Sequence, residues 1–124
     1  MKNFKKLLEI YNNKKSDFKT LSIKKIEMEE IKSIKDSDET LTEIIGERLN
    51  KIKTEQVRLE NELNSLSNKI ICRVNSLENN EMKNVILMRI FTDKTWKCIA
   101  KSCLYSEARV RQLYREGINT LTSI

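Results

Sequence analysis

The sequence predicts an all-α protein: a long N-terminal antiparallel helical hairpin of coiled-coil type, followed by a three-helix module. Three observations predict it. The 124 residues contain no proline and two glycines, so few positions interrupt a helix. Isoleucine and leucine recur at steps of three and four through much of the chain, the period of a helix with one buried face. Charged residues make up 34% and aromatics 6%, a balance suited to exposed helices more than to a thick globular core.

Residues 3–35 read as one helix, roughly 50 Å long at 1.5 Å per residue. Phe4, Leu7, Leu8, Tyr11, Phe18 and Leu21 form its stripe, which continues with a phase shift through Ile23, Ile26, Met28, Ile31 and Ile34. Asn12 and Asn13 are its weakest point, where a bend is expected. The segment at 36–40 is the first break. Ser37 or Asp38 fits an N-cap, and Thr40 with Glu43 fits a capping box, in which hydroxyl and carboxylate satisfy free backbone N–H groups reciprocally.

Residues 41–76 read as a second long helix. Ile45, Leu49, Ile52, Gln56, Leu59, Leu63, Leu66 and Ile70 alternate steps of four and three, a heptad seam interrupted by Gln56 alone. Gln56 is read as a tolerated polar residue in preference to a register pin, because glutamine specifies register less well than asparagine. The short connection favours an antiparallel hairpin, and the exposed surface of such a hairpin suits a homodimer or a docked partner. A composition shift near Leu77–Asn80 separates this assembly region, residues 1–76, from the module at 77–124.

That module reads as helices over 79–91, 95–103 and 106–121, with Thr95 and Ser106 as N-caps. Val85, Leu87, Met88, Phe91, Trp96, Ile99, Ala100, Val110, Leu113, Gly117 and Leu121 are its expected core. Trp96 is read as core and not as a platform for stacking bases. Gly117 weakens its helix by about 1 kcal/mol relative to alanine, and close helix packing is the expected compensation.

Net charge is +6 with a pI near 9.3, unevenly spread: +5 over residues 1–35, −2 over 36–76 and +3 over 77–124. A basic domain commonly binds a polyanion. The chain has three cysteines, Cys72, Cys98 and Cys103, no histidine and no CxxC, so neither a zinc site nor a disulfide framework is expected. The thiols read as small apolar fillers in a reducing cytoplasm. No signal peptide or membrane span is legible; the apolar run at 85–88 is far too short. Without histidine, a glycine-rich phosphate loop or a motif-spaced carboxylate pair, neither catalysis nor a cofactor is expected. Glu29, Glu30, Glu60 and Glu62 read as solvated faces.

The informative stretch runs from Val85 to Leu121. Its last helix sets Glu107, Arg111 and Arg115 on one stripe with Ala108 and Gln112 beside it, which is what major-groove reading needs. The sequence Ile99-Ala100, Ser106, Val110-Arg111-Gln112-Leu113 and Leu121 resembles region 4 of bacterial sigma factors, the helix-turn-helix that reads the −35 promoter element. Thr95-Trp96, Tyr105-Ser106 and the long helical N-terminal part resemble small sigma-like phage regulators of Gram-positive bacteria, including late-gene regulators.

The resemblance implies double-stranded DNA as partner. Glu107, Ala108, Arg111 and Gln112 fall at base-reading positions and Arg109 at a phosphate position. Lys94, Lys97, Lys101 and Arg115 are further phosphate candidates on charge grounds. Glu107 and Ala108 depart from the Arg-Glu pair of primary sigma factors, so the standard hexamer is not expected to be read in full. Leu104 stands where relatives carry Gly or Asn, so a local change in the turn is expected. Lys97 and Cys98 replace an acidic pair usual in the family. The chain has no room for the module that reads the −10 element and melts DNA, so it is expected to need either a host sigma factor or a separate partner subunit; the resemblance also implies docking on host RNA polymerase. The alternative is an adaptor that binds polymerase or another regulator without reading DNA.

Overall fold

The computed structural model of the chain describes residues 3–34 and 39–123. Its regular elements there are all helical: α1 (Phe4–Lys32), α2 (Glu39–Val74), α3 (Asn80–Phe91), α4 (Trp96–Cys103) and α5 (Glu107–Ser123). The fold class is all-α, as the three-and-four periodicity requires. α1 runs unbroken through Asn12 and Asn13. Ser37 and Asp38 lie outside the described residues. Thr40 lies inside α2, which begins at Glu39; a residue already in helical conformation cannot be the N-cap, so the capping box expected there does not start this helix. At its other end α2 closes by short turns, with Ser76 N–H donating to Arg73 O at 3.1 Å and Leu77 N–H to Val74 O at 3.0 Å.

The chain forms two compact units, Glu9–Leu66 and Met1–Leu8 with Ser67–Ile124. In the first, Tyr11, Ile45, Leu49, Leu59 and Leu66 are buried, and Ile52, Gln56 and Leu63 are half-buried. The heptad seam of α2 is therefore covered within one chain. Polar partners register the helices: Lys14 Nζ meets Glu62 Oε2 at 2.6 Å, and Gln56 Nε2 donates to Ser22 Oγ at 3.2 Å. Moving forward along α1 thus means moving backward along α2. Gln56, read from sequence as merely tolerated, has a specific partner.

The expected phase shift in α1 does not occur. Ile23, Ile26 and Ile34 are exposed by 56–59%, and Ile31 is also exposed, while Lys14, Phe18, Leu21, Ser22, Lys25 and Met28 are half-buried. The inward face keeps steps of three and four from Tyr11 to Met28 and accepts polar residues on the way. Glu62 and Gln56 satisfy two of them, Lys14 and Ser22, which removes much of the cost of facing them inward. Glu62 is accordingly no simple solvated acid; Arg58 Nη1 also reaches it at 2.6 Å.

In the second unit, Val85, Ile99, Ala100, Val110 and Leu113 form one buried cluster, with Met82, Met88, Trp96, Cys103, Tyr105 and Tyr114 packed against it. Phe4, Leu7, Ile70, Val74, Leu77, Ile86, Ile90, Ile118 and Leu121 are its other buried side chains. The first turn of α1 and the last of α2 therefore belong with α3, α4 and α5. Arg73 ties them: its guanidinium lies 5.4 Å from the Phe4 ring centroid, and its Nη2 donates to Leu121 O at 2.9 Å, one of the carbonyls a helix end leaves unpaired.

Leu87 and Phe91, expected in the core, are only half-buried, and Met88 and Trp96 are half-buried against its cluster; Ile86 and Ile90, outside the expected set, are buried. From Val85 to Phe91, α3 is apolar at every position but Arg89, so periodicity there selects no single face. Gly117 is buried, and a Cβ there would overlap Ile86 Cδ1 and come within 3.8 Å of Leu77 Cδ1; close packing does compensate for this glycine. Cys72 and Cys98 are exposed, which corrects their reading as apolar fillers; Cys103 is half-buried and packs against the cluster.

Candidate nucleic-acid interface

α4, the turn after it and α5 present the residues that the sequence singles out. Thr95 caps α4, its hydroxyl accepting from Cys98 N–H at 3.2 Å. Ile99 and Ala100 bury one face of α4, leaving Lys97 and Lys101 exposed. The helix ends at Leu104, with φ 60° and ψ 37°, and Tyr105 N–H donates back to Ala100 O at 3.0 Å. This is the left-handed end usual for glycine. Leucine adopts it instead of changing the turn, contrary to expectation, and stands 91% exposed. Ser106 Oγ then accepts from Arg109 N–H at 3.1 Å and caps α5.

α5 buries Val110, Leu113, Gly117, Ile118 and Leu121. At 3.6 residues per turn the opposite face is centred on Ala108, Gln112, Arg115 and Asn119, all exposed. Glu107 and Arg111 flank this stripe on one side, Arg109 and Glu116 on the other, and these four are exposed too. The candidate readers Glu107, Ala108, Arg111 and Gln112 thus gather on the first two turns. The phosphate candidates are likewise exposed: Lys94 in the connection before α4, Lys97 and Lys101 on α4, and Arg109 and Arg115 on α5. Residues 89–116 carry seven basic side chains against three acidic, so the surface favours an anion while Glu107 and Glu116 interrupt it.

Two of these candidate side chains are held. Gln112 Oε1 accepts from Arg109 Nη1 at 3.3 Å, and Gln112 Nε2 donates to Glu116 Oε1 at 3.0 Å. Arg111 lies over the Trp96 ring, its Cζ 5.6 Å from the centroid. Arg89 shares that ring at 4.4 Å and donates through Nη1 to Lys94 O at 3.4 Å. Tyr114 meets Trp96 edge-on, centroids 5.3 Å apart at 72°. Burial pushes the Tyr114 phenol above its ordinary pKa. The Tyr105 phenol is also raised, first by its hydrogen bond to Glu81.

Sequence reasoning passed over Arg89, Glu116 and Asn119. Asn119 lies seven residues after Gln112, a spacing legible as the same helical face. Arg89 reaches Trp96 from another helix, and no local spacing announces that. Among the described residues, no cluster of His, Cys, Asp or Glu side chains is placed to hold a metal ion, and no helix is long and apolar enough to cross a membrane. The chain matches no protein-family model, no curated protein and no solved structure.

Proposed function

We propose that the chain is a sequence-specific DNA-binding transcription regulator, phage- or prophage-encoded, acting at promoter-like sites in the bacterial cytoplasm together with host RNA polymerase. In this reading residues 1–76 form an antiparallel helical hairpin for assembly. Residues 77–124 form a sigma region 4-like helix-turn-helix, with α5 as the recognition helix. The observation that carries the reading is the face of α5. Arg111 and Gln112 are exposed and held on its first two turns, and the side chains opposite them are buried. Arginine pairs two-pronged with guanine O6 and N7, and glutamine with adenine N6 and N7. Glu107 suits cytosine N4. Lys94, Lys97, Lys101, Arg109 and Arg115 supply the salt-dependent phosphate contacts.

Mobility shifts of the full chain on phage promoter fragments, against random DNA at several salt concentrations, test this. At least one fragment outcompetes random DNA. Arg111→Ala costs about 1–3 kcal/mol of preference, whereas Lys97→Gln weakens all sequences alike and lowers the salt slope by about 1. If no fragment outcompetes random DNA, sequence reading fails.

The adaptor reading then takes its place. The observation that favours it is the set of exposed apolar side chains Ile23, Ile26, Ile34 and Val57 in the unit Glu9–Leu66. These outer positions, more than the covered seam from Ile45 to Ile70, are where a homodimer or polymerase contact of this unit would form. Light scattering distinguishes one chain from two.

A further inference from the structure

We infer that Trp96 is a positioning residue for Arg111: the indole holds the guanidinium beside the first turns of α5, so that arginine meets a base pair already oriented. The inference rests on the proposed reading of α5 as a recognition helix. An exposed arginine ordinarily samples many rotamers, and ordering one on binding weakens the complex. Tryptophan has the aromatic face that attracts a cation most strongly, and a guanidinium within about 6 Å of the centroid is in range. Arg111 Cζ lies at 5.6 Å.

The platform is itself fixed. Trp96 is half-buried against the cluster of Val85, Ile99, Ala100, Val110 and Leu113. Tyr114, one turn after Arg111, abuts its ring at 5.3 Å. Thr95 anchors the backbone next to it by capping α4. Arg89 occupies the same ring from α3, so the indole gathers two cations at the edge of the reading surface.

Contact through the ring face has a chemical advantage over hydrogen bonding here. A cation lying over a ring engages it through the π-system and leaves the in-plane N–H groups able to donate. Arg111 can therefore keep its aromatic contact while pairing with a guanine edge. Gln112 is different: its amide is tied to Arg109 and Glu116, and those bonds must open before it reads a base.

The test uses the full chain and a DNA fragment selected by that chain from a random library. Trp96→Leu keeps apolar bulk and removes the ring. The expected result is a roughly two- to fivefold loss in the ratio of selected to random DNA binding, the scale of an exposed cation–π contact, with an unchanged salt slope. In a chain already carrying Arg111→Ala, Trp96→Leu changes that ratio no further. Trp96→Phe keeps a ring and loses less; it serves as the working variant if Trp96→Leu loses its helical circular dichroism. In the DNA-free chain, NMR shows the Arg111 side-chain protons shifted upfield by the indole; the shift disappears with Trp96→Leu and shrinks with Trp96→Phe. An equal loss with and without Arg111, or no upfield shift in a chain that still selects DNA, overturns the inference alone. A chain that selects no sequence overturns the reading of α5 and this inference with it.

Discussion

Leu104 is the one described non-glycine residue with a positive φ, and its side chain is 91% exposed. Its conformation is costly for a residue with a Cβ, and its exposure means that no packing is lost on truncation. Leu104→Gly is expected to raise stability by about 0.5–1 kcal/mol, the left-handed penalty less glycine's extra chain entropy, as read by urea unfolding. The two glycines make an opposed pair. At Gly46 a Cβ would meet nothing within 4 Å, so Gly46→Ala adds about 1 kcal/mol of helix propensity. At Gly117 the same methyl collides with fully buried Ile86. Overpacking there costs about 1–3 kcal/mol, so Gly117→Ala is expected to be net destabilising despite its better propensity. A stabilised Gly117→Ala chain would show that Ile86 turns aside freely.

Among the elements, α1 and α2 are joined in the unit Glu9–Leu66 by an ion network with a definite pH signature. Glu62 sits below the ordinary carboxylate range, first because Lys14 hydrogen-bonds to it and then through Arg58. Glu55 is lowered too, chiefly by its hydrogen bond from Arg58. Carboxylates with depressed folded-state pKa values stabilise above their unfolded value, and that contribution disappears as pH falls through the folded one. Thermal unfolding should therefore show stability dropping below about pH 4.3, the unperturbed glutamate value. Glu62→Gln should flatten that drop, and Glu62→Gln stability that follows pH as steeply as the unchanged chain would remove Glu62 from the account. Exposure of the network keeps the effect small and salt-sensitive. Element positions were legible in sequence because long unbroken periodicities and the caps at Thr95 and Ser106 act locally. Past Leu21 the sequence pattern points to the wrong face of α1, because four isoleucines outweigh Ser22 and Lys25 in a hydrophobic pattern. Only the partner helix reveals which of the two faces is covered.

For the whole molecule, the division of the chain cuts across its helices. Phe4, fully buried, belongs to the compact unit that carries α5 although more than sixty residues separate it from α3. Phe4→Ala is expected to destabilise that unit by about 3–5 kcal/mol, read as a lower unfolding midpoint of Trp96 fluorescence. If the Trp96 transition is unmoved, the N-terminal turn is dispensable to the module. The composition shift near Leu77 remains where the proposed DNA-reading part begins. The compact unit starts earlier in sequence, at Ser67, and includes the first turn of α1.

Local pattern suffices for the helical class, the caps of α4 and α5, the heptad of α2, and the exposure of Glu107, Ala108, Arg111 and Gln112. Each of these follows from spacing within one helix or from a cap two or three residues away. Packing between helices is needed to establish that Arg73 joins the Phe4 ring to the Leu121 carbonyl, that Lys14 and Ser22 face inward, and that Trp96 gathers Arg89 and Arg111. Those contacts join residues on different helices, where neither residue's local pattern carries information about the other. They form only when burial of apolar faces brings the helices together.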